Sequence, residues 1–139
     1  MASSLLSSTS PVLPNIAMTL LAIPALVGTF SLLLPRTALA KVFDFPLPAK
    51  QTDQAVVVSL TQLFGARDTF MSGAALGAWY TGDRMMLGYL CMLAAGVSVV
   101  DGVAQAGVSG PGSEWKHWWL VPVEAGIGAG LMGWFGAVR

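Results

Sequence analysis

The chain has 139 residues, of which 55% are hydrophobic and 10% charged, and its mean hydropathy is +0.69. A soluble domain carries about 25% charged residues, so this composition cannot cover a water-facing surface; at about 20 residues per span the length accommodates four transmembrane helices and no separate soluble domain. Net charge is zero with the seven basic residues scattered, which gives no nucleic-acid footprint, and the single cysteine, Cys91, excludes an intrachain disulfide.

In chain order, Met1 to Asn15 is serine-rich and uncharged, with Pro11 and Pro14, and reads as a flexible end. The first span is predicted over residues 16–34, an apolar run without a charge, closed by Pro35-Arg36. A cleaved signal peptide is the rival reading, because Ala38-Leu39-Ala40 has the small-x-small form of a cleavage site. Against it stand the absence of Lys or Arg ahead of the run and the length of the run. Residues 35–54 hold prolines 35, 46 and 48 with Arg36, Lys41, Asp44, Lys50 and Asp53, and are predicted as a loop whose Val42 to Leu47 portion lies along the membrane interface.

The second span is predicted over residues 55–80. Gly65, Thr69, Gly73 and Gly77 recur every fourth position and make a small-residue stripe of the kind that admits a second helix. Thr81-Gly82-Asp83 is a tight turn into a third span over 84–106. A glycine-rich loop, 107–116, then leads to a fourth span over 117–138, which carries tryptophans at its start and Gly126-x-x-x-Gly130 as another close-packing signal. The architecture is therefore all-α, an integral membrane four-helix bundle forming one domain over residues 16–139. The connecting loops carry Arg36, Lys41, Lys50 and Lys116 against Arg84 and Arg139 on the terminal side, so the positive-inside rule directs the loops to the cytosol.

Charged side chains at membrane depth cost about 2.5 to 3.5 kcal/mol each on insertion scales and mark function. Counting helix rise from the terminal side, Asp68 lies about 20 Å deep, Arg67 about 21 Å, Glu124 about 22 Å and Asp101 about 26 Å. Four ionisable groups from three helices in one thin layer predict a shared polar pocket, since lipid supplies no partners. Face patterns agree: Cys91, Ala94, Ser98, Asp101 and Gln105 share one face of the third span, and Thr61, Asp68, Ser72 and Ala75 share one face of the second. Thr61, Ser72, Ser98, Gln105 and His117 are the expected lining residues, with His117 also readable as an interfacial residue beside its tryptophans. One arginine among three acids implies that one acid is protonated near neutrality if the pocket is dry, the arrangement that acid–base catalysis uses. No cofactor or metal is indicated, as no P-loop, dinucleotide fingerprint or His/Cys ligand spacing is present.

The first span ending in proline, Phe43 with Pro46, Gly65-Ala66-Arg67-Asp68 with Gly73, Gly82-Asp83-Arg84, Val100-Asp101-Gly102 and His117 before the last span together resemble a family of small four-helix membrane proteins. That family is common in fungi and catalogued as a domain of unknown function, and some members lie in natural-product gene clusters. The resemblance covers about residues 16–138 and implies an integral membrane protein acting in polyketide or terpenoid tailoring; the expected location is an endomembrane such as the endoplasmic reticulum.

Three functions are open at this point. The first is an enzyme that opens an epoxide by hydrolysis or cyclisation on a lipophilic substrate in the membrane. Asp101 or Glu124 would then be the acid, Asp68 the base, and Arg67 the group that orients the carboxylate. This set is similar in residue types to the water-activating site of the limonene-epoxide hydrolase type, on an unrelated fold. The second is a non-catalytic membrane protein that binds a lipophilic ligand or holds pathway enzymes at the bilayer, with the Arg67–Asp68 pair structural. The third is a proton-coupled carrier, which at this length requires a homo-oligomer.

Overall fold

The computed structural model describes residues 7–135. The helices are α1 (Leu13–Leu33), α2 (Pro35–Lys41), α3 (Gln51–Thr81), α4 (Arg84–Ser109), α5 (Trp115–Trp118) and α6 (Leu120–Leu131). Among the described residues there is no strand, in keeping with the all-α expectation. Two helices, α1 and α4, are long and apolar enough to cross a membrane. The chain forms two compact units, Leu21–Ala74 and Met1–Leu20 with Ala75–Arg139.

In the unit Leu21–Ala74, α1 and α3 meet backbone to backbone. A Cβ on Gly65 would lie 2.5 Å from the Gly28 carbonyl and 2.6 Å from the Leu32 nitrogen, and one on Gly28 would lie 2.7 Å from Asp68 Cβ. Glycine is the residue that permits such an approach. The expected small-residue stripe is thus used at Gly65 alone among its glycines, because Gly73 and Gly77 are exposed and meet nothing within 4 Å. Pro24 inside α1 has no N–H for the carbonyl one turn back, and beside that gap the Ser72 hydroxyl donates to the Leu21 carbonyl at 3.0 Å.

The loop expected over residues 35–54 contains α2. Proline is favoured in the first helical turn, and Ala38, Leu39, Ala40 and Lys41 behind it are good helix formers. The helix buries Ala38 and Leu39, so the Ala38-Leu39-Ala40 triplet is helical rather than extended. After α2 the chain turns at Asp44, whose φ of 56° is left-handed. The second span expected over 55–80 is longer at both ends, as α3 covers 31 residues.

In the other unit, the α3–α4 junction is the tight turn expected from Thr81-Gly82-Asp83. Gly82 takes φ 72°, its N–H bonds the Trp79 carbonyl, and the Asp83 N–H reaches the Ala78 carbonyl, closing α3 with a Schellman motif. Asp83 then caps α4 by accepting from the Met86 N–H at 2.9 Å. Within the N-terminal segment read as flexible, the carbonyls of Ser8 and Ser10 both accept from the Arg84 guanidinium. The Trp79 indole donates to the Asn15 side chain at 3.0 Å.

The fourth span expected over 117–138 is two pieces, α5 and the 12-residue α6. It stops early because Gly133 takes φ 80° while the Gly133 and Trp134 N–H groups bond the Gly130 and Ala129 carbonyls, a second Schellman motif. Residues 136–138 of that span lie outside the described residues. Helices α4 and α6 also meet at glycine, where a Cβ on Gly128 would lie 2.8 Å from the Gly88 carbonyl. The tight contact therefore falls at Gly128, between the two glycines expected to make it; Gly126 meets nothing within 4 Å.

Glycine to alanine separates the two kinds of position. Gly65→Ala sets a methyl against α1 backbone and is expected to destabilise the purified protein by about 3 kcal/mol. Gly73→Ala, in open space on the same helix, is expected to be neutral or to stabilise by up to about 1 kcal/mol. Chemical denaturation of both variants beside the unsubstituted protein checks the contrast.

Candidate functional site

The buried face of α3 carries Thr61, Gly65, Asp68, Ser72 and Ala75, spaced by three and four residues. Asp68 sits one turn beyond Gly65, where its Cβ packs against Gly28, and the residue is 6% exposed. An ionised carboxylate there requires a partner. Arg67 supplies one: its Nε and Nη2 each lie 2.9 Å from Asp68 Oδ1. The Arg67 side chain is 33% exposed and its Cζ stands 4.4 Å from the centre of the Phe64 ring. The Phe43 ring meets Phe64 edge-on, with centroids 5.1 Å apart and planes at 88°. Thr61 donates to the Val57 carbonyl of its own helix at 2.8 Å. The Thr61 and Ser72 hydroxyls therefore both donate to backbone carbonyls.

In the other unit, Cys91, Ala94, Ser98 and Gln105 are buried along one face of α4, and Asp101 on the same face is half-buried. Glu124 of α6 is 6% exposed and accepts from the Ser98 hydroxyl at 3.0 Å. No Lys or Arg lies within ion-pair distance of Glu124 among the described residues. Gln105 donates to Ser109 at 2.9 Å. His117, half-buried on α5, makes no side-chain hydrogen bond among the described residues. No three of His, Cys, Asp and Glu converge as a metal centre among the described residues.

Two features of this surrounding structure were not read from the sequence. Phe64 stands three residues before Arg67, a helical neighbour spacing that could have signalled the ring beneath the guanidinium. Gly102, next to Asp101, is where Trp118 packs: a Cβ there would overlap the indole, whose Nε1 donates to the Val99 carbonyl at 3.2 Å. Trp115 adds an edge contact to Trp118, with centroids 5.9 Å apart. The Asp-Gly pair thus sets a half-buried acid beside a glycine over which an aromatic ring lies.

The family model described as a domain of unknown function, DUF4267, matches residues 22–131. The chain belongs to the DUF4267 family. The matched stretch of this DUF4267 protein contains Gly28, Gly65, Arg67, Asp68, Asp101, Gly102, Trp118 and Glu124. No curated protein and no solved structure matches the chain.

Gly102→Ala is expected to destabilise by about 1 to 3 kcal/mol by overpacking against the indole. In a Trp118→Ala background the same change is expected to cost nothing, so that a double-mutant cycle returns a coupling of that size. Chemical denaturation of the four proteins measures it.

Proposed function

We propose that this DUF4267 protein is a multi-pass integral membrane protein, a four-helix bundle of an endomembrane, whose buried carboxyl groups open an epoxide on a lipophilic polyketide or terpenoid intermediate of fungal secondary metabolism. The observation that carries the reading is the kind of burial given to its acids. Asp68 is shielded and has the Arg67 guanidinium against its Oδ1, whereas Glu124 is equally shielded and accepts from a hydroxyl, with no cation within ion-pair distance among the described residues. A purely structural ion pair does not require a further buried acid of this kind.

The membrane part is supported by α1 and α4, each long and apolar enough to span. It is supported also by large apolar side chains left outside: Leu26 is 74% exposed, Phe70 77% and Leu63 67%. In lipid such side chains are solvated; in water they would drive aggregation.

In the proposed reaction a carboxylic acid, Asp101 or Glu124, gives its proton to the epoxide oxygen as the C–O bond breaks. Asp68 takes a proton from water or from a substrate hydroxyl, whose oxygen forms the new C–O bond. Hydrolysis adds one water; cyclisation is an isomerisation. Arg67 steadies the Asp68 carboxylate between turnovers. The second reading, a non-catalytic protein that binds a lipophilic ligand or holds pathway enzymes at the membrane, is favoured by the intrahelical nature of the Arg67–Asp68 pair, which needs no substrate to explain it.

Two measurements test the proposal. The protein is expected to stay in the membrane pellet through alkaline carbonate extraction and to leave it in detergent. Asp68→Asn, Asp101→Asn and Glu124→Gln, at wild-type protein level, are expected to make cells accumulate an epoxide precursor, with conversion reduced about a hundredfold or more for the acid and the base. Growth in oxygen-18 water separates hydrolysis, which incorporates one label, from cyclisation, which incorporates none. Full conversion by all three variants overturns the catalytic reading, and loss of the proteins themselves favours the structural one.

A further inference from the structure

We infer that the outer surface of α4 and of α5–α6 fits bilayer hydrocarbon about 28 Å thick, edged by one tryptophan girdle at Trp115 and another at Trp134. Such a surface presupposes the membrane part of the proposed function. To that reading it adds the face that meets lipid, its two edges and the thickness between them.

Two contacts within one compact unit set α4 beside α5–α6. A Cβ on Gly88 would meet Met132, and one on Gly102 would meet the Trp118 indole. Fourteen residues separate the members on each side, from 88 to 102 and from 118 to 132, so the two paths run antiparallel and in step. Trp119, between α5 and α6, keeps helical angles of φ −65° and ψ −24°, and the chain does not turn aside there. Trp115 and Trp134 are nineteen residues apart, and a rise of 1.5 Å per residue makes that about 28 Å.

Between those levels α4 presents an apolar stripe. Met86, Tyr89, Leu93, Val100 and Val103 are exposed, and their spacings put them on one helix face. No charged side chain of α4 beyond Arg84 is exposed. The rings at the two ends are uncovered: Trp115 is 62% exposed and Trp134 66%, whereas Trp118 turns inward on Gly102. Tryptophan collects where lipid meets water, because its ring is apolar and its N–H polar. Charged residues stand at the same two edges. Glu114 and Lys116 flank Trp115; at the other end Arg84 bonds the Ser8 carbonyl, and Ser8 lies against Gly133 beside Trp134. A second copy of the chain would also cover an apolar stripe, but protein contact gives no reason for uncovered tryptophans at both ends of it. Tilting a helix shortens the depth it crosses, so about 28 Å is the most this pair of girdles can match. That suits a bilayer of the endoplasmic-reticulum kind, about 27 Å, rather than a plasma membrane of about 32–33 Å.

The test uses the full chain in phosphatidylcholine vesicles brominated either near the headgroup or near the chain end, which quench shallow and deep tryptophans respectively. Trp115→Phe and Trp134→Phe each remove one exposed ring, and the difference from the unsubstituted protein isolates that ring's emission. Each is expected to be quenched about twofold or more by the shallow label over the deep one. Leu93→Trp adds a reporter on the exposed stripe, and its added emission is expected to show the opposite preference. Across dimyristoleoyl, dioleoyl and dierucoyl phosphatidylcholine, resistance of the unsubstituted protein to chemical denaturation is expected to peak at dioleoyl and to fall in dierucoyl, the thickest.

A deep-label preference at Trp115 or Trp134 overturns the girdles. Added emission from Leu93→Trp that neither label quenches overturns the lipid-facing stripe and points to cover by a second copy. Greatest resistance in dierucoyl bilayers overturns the thickness. Each of these results, in protein that floats with the vesicles, removes the surface and leaves the membrane reading standing. Protein that does not float with them removes both.

Discussion

The contact on which the Leu21–Ala74 unit depends is the meeting of two backbones at Gly28 and Gly65. Two side chains of hydrogen bring α1 and α3 closer than any other residue pair permits. One turn along α3 the same proximity encloses Asp68. A carboxylate in that position requires polar partners, and Arg67 supplies one while its guanidinium stands over the Phe64 ring. The Phe43 ring, just beyond α2, meets Phe64 edge-on.

The second unit uses the same device with different parts. Gly88 and Gly128 bring α4 and α6 together, and Glu124 lies one turn from Gly128 on the buried face of α6. In each unit an acid is placed a single turn from the glycine at which two helices touch. Asp68 and Glu124 are each 6% exposed, so protein groups supply most of their surroundings. The groups chosen differ. Asp68 faces a cation from the next residue, whereas Glu124 faces the Ser98 hydroxyl from another helix. Asp68 and Glu124 are thus buried carboxyl groups in unlike surroundings, one beside a guanidinium and one beside a hydroxyl.

Membership of DUF4267 does not bring a reaction with it, so the proposal stands on the residues. The aromatic residues near the two acids strengthen it in different ways. Beneath Arg67 a phenylalanine face restrains a charged group, whereas next to Asp101 the Trp118 indole occupies the space that Gly102 leaves open and donates to the Val99 carbonyl. Both are arrangements in which a flexible or half-exposed polar group is set beside a rigid ring, and rigidity around ionisable groups is what a preorganised site requires.

What could be read from the chain alone was what periodicity and local chemistry determine. Helical class, the turn at Gly82-Asp83 and the shared buried faces of α3 and α4 follow from spacings of three and four residues and from the left-handed preference of glycine; these are properties of neighbouring residues. Partner selection lay beyond its reach. Gly65, Gly73 and Gly77 are alike in sequence, and only the placement of α1 makes the first a contact and leaves the others open. In the same way Gly128 rather than Gly126 meets α4, α6 ends at Gly133, and the presumed loop after Pro35 folds as α2, because contacts with distant residues decide among local options of similar energy. The Arg67–Asp68 pair itself was legible, being adjacent in the chain. That Asp68 is buried by a glycine of α1, that Arg67 rests on Phe64, and that Glu124 is met by Ser98 were decided by the tertiary structure, since each joins side chains whose distance no sequence period sets.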